Sequence, residues 1–123
     1  MDQSHSENVV KVSEVINTDV FDKQKQKIGK IQELILDKYT GAVRYAVLSF
    51  GGFLGMGDKL FALPWSTFHY ETSAEGFVLN VDKDKIENAQ GFDKDNWPDW
   101  SNEEWQSSIF EYYGVKPYWQ QGR

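Results

Sequence analysis

The clearest signal in the chain is an alternation: Phe77, Leu79 and Val81 are interleaved with Val78, Asn80 and Asp82. Successive strand residues point to opposite faces, so this period of two predicts a strand whose inner face carries the first three residues. Ala42 to Phe50 reads differently, with Ala42, Val43, Tyr45, Ala46, Val47, Leu48 and Phe50 occupying both parities. A strand that is apolar on both faces needs cover on both sides. Lys59 to Leu63 is the strand predicted to pair with it. Upstream, Ile28 to Asp37 has strand character, but its apolar parity slips between Ile31 and Leu34. Such a slip marks either a β-bulge or a strand buried on both faces. Asp22 to Lys27 reads as a turn and Asp37 to Gly41 as a hairpin loop with Gly41 in the left-handed region. Val9 to Phe21 forms a first short strand or turn region, and the polar segment Met1 to Asn8 is expected to be a disordered leader. Short strands at close spacing, with no long helix among them, predict a mainly β barrel or sandwich rather than βαβ units.

The pattern changes after Gly91. Ser101, Asn102, Glu103 and Glu104 match a capping box with Ser101 as N-cap, and a helix is expected from Glu103 to Tyr113 with Gly114 as its stop. Trp105, Ile109 and Tyr112 recur at helical spacing and are expected on the buried face, which leaves Phe110 and Tyr113 pointing elsewhere. Trp97, Trp100 and Trp119 also need cover. Two roles are open to these aromatics: packing the helix back onto the β domain, or anchoring a protein interface. The candidate partner-binding residues are therefore Trp97, Trp100, Phe110, Tyr113 and Trp119, and a second copy of the chain is the expected occupant, giving a two-fold homodimer.

Charge and chemistry mainly exclude. A formal net charge of −6 disfavours a nucleic-acid partner, whose affinity rests on clustered Lys and Arg. The one basic cluster, Lys23 to Lys30, reads as a solvated hairpin edge. The chain has no cysteine, which removes disulfides, thiol catalysis and thiolate metal sites. With no apolar stretch long enough to span a membrane and no basic-then-apolar N-terminus, a cytoplasmic location is expected. The loop with Gly51, Gly52, Gly55 and Gly57 invites a phosphate-binding reading, but Asp58 stands where a P-loop needs its lysine, and Leu60 to Pro64 is strand-like rather than helical. Asp93, Asp95, Asp99 and Glu104 fall at four calcium-loop positions, yet Trp97 replaces an oxygen ligand and Pro98 replaces the required glycine. His5 and His69 are far apart, and no Ser, His and acid arrangement can be nominated. No catalytic, cofactor-binding or metal-binding residue is assigned, and an enzyme is not expected.

The run KIGKIQELILDKYTGAVRYAVLSFGGFLGMGDKLFALPWSTF, followed by FVLNVDKDKIENAQGF, resembles the PRC-barrel family, named after the cytoplasmic domain of the photosynthetic reaction-centre H subunit. The resemblance rests on Ile28-Gly29, the Asp37 to Gly41 hairpin, the Tyr45 strand, the glycine loop and Leu63-Pro64-Trp65 in combination. It implies a small, strongly bent β-barrel over residues 9–90, preceded by the leader 1–8 and followed by an aromatic-rich helical extension over 91–123. It also implies that Leu48, Phe50 and Leu63 share one core with Phe77, Leu79 and Val81. The family includes the reaction-centre subunit, half of a ribosome-maturation factor and free-standing bacterial proteins, with no common catalytic centre. A non-catalytic, self-associating interaction or assembly module is the expected function. The alternatives are an accessory subunit of an electron-transfer or ribosome-assembly complex, or a small-ligand carrier or enzyme.

Overall fold

The computed structural model describes residues 9–50 and 59–120. The predicted leader and the glycine loop lie outside the described residues. The elements are α1 (Val12–Val15), β1 (Asp19–Phe21), β2 (Lys27–Leu36), β3 (Val43–Phe50), β4 (Lys59–Pro64), β5 (Phe68–Glu71), β6 (Gly76–Leu79), α2 (Lys83–Glu87) and α3 (Glu103–Tyr113). Six strands form one sheet in the order β4-β3-β2-β1-β6-β5. All neighbours are antiparallel except β1 and β6, which run parallel. The two rim strands, β4 and β5, are joined only by the single turn Trp65–Thr67, so the sheet must curl until its ends meet at one corner. This is the strongly bent, mainly β architecture that the sequence implied.

The parity slip in β2 is a bulge. Ile31 stands opposite Leu48 and Glu33 opposite Val47, so Gln32 is the inserted residue. From Tyr45 onward β3 is buried on both faces, as its composition required. Gly41 and Gly114 both have positive φ, closing the β2–β3 hairpin and ending α3 at the expected positions. Leu48, Phe50, Leu63 and Leu79 lie in a single core with Val20, Ile31 and Phe61, and Phe77 and Val81 pack partly buried against it.

Three expectations need correction. The region Val9 to Phe21 contains a short helix as well as a strand, because β1 begins only at Asp19. The predicted strand through Val81 stops at Leu79, and Asp82 is the N-cap of the short helix α2, whose Ile86 plugs the core. Val78, assigned to the outer face, is itself buried.

Asp22 is the polar residue that holds these parts together. Its Oδ1 accepts the amides of Gln24 and Gln26 at 2.9 Å each, and Oδ2 accepts the amide of Lys83 at 3.2 Å. The side chain is buried, and it is tolerated there because these donors satisfy its two oxygens. One carboxylate thus ties the β1–β2 turn to the start of α2, across a large separation in sequence.

Two stability outcomes follow. Leu79→Ala should lower the free energy of unfolding by about 2–5 kcal/mol, because it opens a cavity at a fully enclosed site. Asp22→Ala should cost about 2–4 kcal/mol, since it removes from a buried position the shared acceptor of three backbone amides. Denaturant titration monitored by tryptophan fluorescence measures both.

Candidate functional site

The extension closes one rim of the sheet. Leu60, on the rim strand β4, exchanges two 2.8 Å backbone hydrogen bonds with Phe92. Gly91 makes that approach feasible, because a Cβ there would lie 2.7 Å from the Leu60 carbonyl oxygen and 2.9 Å from the Phe61 ring. Helix α3 then packs against β4. Its bounds match the expected Glu103 to Tyr113, but its cap and its roll differ. Asn102 is the N-cap, with Oδ1 accepting the Trp105 amide at 2.9 Å, while the Ser101 hydroxyl donates to Asp99 at 2.7 Å. The buried stripe is Ile109, Phe110 and Tyr113, not Trp105, Ile109 and Tyr112. The i, i+1, i+4 stripe is as helical as the expected one, and it keeps the Tyr112 hydroxyl at the surface, where it donates to the Lys85 carbonyl at 2.6 Å.

Tyr45 is the hub of the extension's contacts. The rings of Trp100, Trp105 and Phe110 each have centroids 5.7 Å from its own. Its hydroxyl donates to Gln106 Oε1 at 2.9 Å, and the Tyr118 hydroxyl donates to the same oxygen at 3.0 Å. The Arg44 guanidinium lies 4.1 Å from the Tyr118 ring centroid and 3.4 Å from the Asp37 carboxylate. Burial pushes the Tyr45 hydroxyl well above the ordinary phenol range, so it stays a neutral hydrogen-bond donor. The chemistry available here is packing and orientation.

The five candidate partner-binding residues do not form one surface patch. Phe110 and Tyr113 are core residues and are withdrawn from that role. Trp100 is half-buried between Tyr45, Trp97 and Trp105. Only Trp97 and Trp119 stand out, at 39% and 36% exposure. The acidic loop is occupied with its own turns: Asp93 accepts the Asp95 amide and the Asn96 side chain, and two donors from Ser101 hold the Asp99 carboxyl below its usual range.

A larger apolar surface lies at the other rim. Val9, Val10, Val15, Trp65, Tyr70 and Phe77 line a groove of about 630 Å3 between α1 and the β5–β6 pair. Val9, Val10 and Tyr70 are exposed by 74%, 60% and 59%. Sequence reasoning passed over this site because its two walls lie some sixty residues apart. The available signals were the Val9-Val10 pair after a polar segment and the aromatic run Phe68-His69-Tyr70. No helix among the described residues is long and apolar enough to cross a membrane.

No curated protein matches the chain. Among solved structures it is similar to a crystal structure described as a 16S ribosomal RNA processing protein, RimM, from Pseudomonas aeruginosa, with 17% identity and a TM-score of 0.41. That likeness covers 68% of this chain and 50% of the other, so the chain spans only half of that protein's length. The profile of the PRC-barrel domain family matches residues 7–86, which takes in every strand among the described residues and most of α2 but stops before the extension. With well over half of its length matched and a curled six-stranded sheet, this protein belongs to the PRC-barrel domain family.

Proposed function

We propose that this protein is a non-catalytic interaction and assembly module that associates with itself. The observation that carries this reading is the groove of about 630 Å3 beside β5, whose lip is formed by strongly exposed Val9, Val10 and Tyr70. Contiguous apolar exposure of this kind marks an interaction surface on a small protein. Membership of the PRC-barrel domain family supports the same reading. His69 sits exposed on β5 rather than in an enclosed cleft, which favours docking over chemistry.

Size-exclusion chromatography with light scattering over micromolar concentrations tests the association. The expected result is a dimer that dissociates on dilution, and a monomer at every concentration contradicts it. Elemental analysis and absorbance of the acid-denatured supernatant test the non-catalytic part. The purified protein should carry neither a stoichiometric transition metal nor a nucleotide, and finding either one overturns that assignment.

A further inference from the structure

The two rims of the sheet are treated differently. The β4 rim is bonded by Phe92 and covered by α3, whereas β5 hydrogen-bonds to β6 on one side and to no described residue on the other. An open rim offers unpaired N–H and C=O groups that invite another strand, and proteins usually blunt it with lysine, proline or a covering element. The four-residue β5, Phe68-His69-Tyr70-Glu71, is short and ends on a charge, but it contains neither lysine nor proline, and His69 and Tyr70 are exposed.

Resting on the self-association proposed above, we propose that a second copy of this chain docks along this rim. The two β5 strands pair antiparallel about a two-fold axis through Tyr70, forming one continuous sheet. The register follows from geometry. A two-fold axis perpendicular to a sheet preserves its faces, and directly opposed residues of an antiparallel pair point to the same face. The axis must therefore pass through a residue rather than between two. If it passes through His69, Tyr70 faces the partner's Phe68 and Glu71 faces the partner's Thr67. Phe68 and Thr67 are both buried, so that register has little to pair with. If it passes through Tyr70, the two tyrosines stack across the axis and His69 faces the partner's Glu71, twice.

Charge and shape fit this occupant. Although the chain carries a net charge of −6, Glu71 is locally offset by Lys25 at 3.0 Å. The tyrosine pair contains no like charges. Tyr70 shares a cross-strand pair with Phe77, its ring centroid 5.3 Å away, and both line the groove. Pairing through Tyr70 thus sets the two grooves side by side on one face of the joined sheet, each also lined by Glu14 and Glu75.

The absence of cysteine makes a direct test simple. Opposed residues in an antiparallel pair have Cα atoms roughly 4.5–5.5 Å apart, within the roughly 4.4–6.8 Å range of a disulfide. Under mild oxidation Y70C should form a covalent dimer, whereas H69C and the exposed-hairpin control Y39C should not. Y70K, which places two like charges on the axis, should raise the dimer dissociation constant by at least about tenfold, with its circular dichroism spectrum unchanged. A wild-type dimer in which Y70C fails to cross-link, or in which H69C cross-links as readily, overturns the rim pairing and leaves self-association standing. A wild-type monomer at all concentrations overturns both.

Discussion

Backbone hydrogen bonding at the rims of an open sheet is the constraint on which this structure turns. Each rim strand carries amides and carbonyls that need a partner or water, and a sheet curled tightly enough to join its end strands through Trp65–Thr67 still leaves two such rims. At β4 the chain supplies its own partner in Phe92 and places α3 beside it. At β5 it supplies none among the described residues. The proposed association completes at β5, with a second molecule, what the extension completes at β4 within one.

The aromatic wealth of the C-terminal segment takes its meaning from this division. Phe110 and Tyr113 belong to the core, and the rings around Tyr45 fix the extension on the domain rather than holding it ready for a partner. Gln106 joins the Tyr45 and Tyr118 hydroxyls, and Arg44 covers the Tyr118 ring, so Tyr118 is tied back to β3. The family match ends at residue 86, and the extension that follows bonds one rim of the sheet, while the other rim has no partner among the described residues.

Much of the fold was legible because it is encoded by local period and turn chemistry. The bulge at Gln32 showed as a parity slip, the two-sided burial of β3 as an unbroken apolar run, and the bounds of α3 as a polar N-terminus and a glycine stop. The roll of α3 was not legible. Two stripes of comparable hydrophobicity compete on that helix, and the choice is made by Tyr45 and Lys85, which approach from other elements. Asp22 was read as an ordinary turn residue, because nothing nearby in sequence announces the Lys83 amide that it accepts. The groove was hidden for the same reason: Val9 and Tyr70 meet only after the sheet has curled.

Amide hydrogen exchange at two protein concentrations tests the central claim most directly, since it reads the two rims in one experiment. The amides of Leu60 and Phe92, bonded to each other within one chain, should be equally protected in dilute and concentrated protein. Amides in Phe68–Glu71 should gain protection as concentration rises, because their outer partner is a second molecule. Protection of β5 that does not change with concentration, or a concentration-dependent change centred on Trp97 and Trp119 instead, would contradict the account.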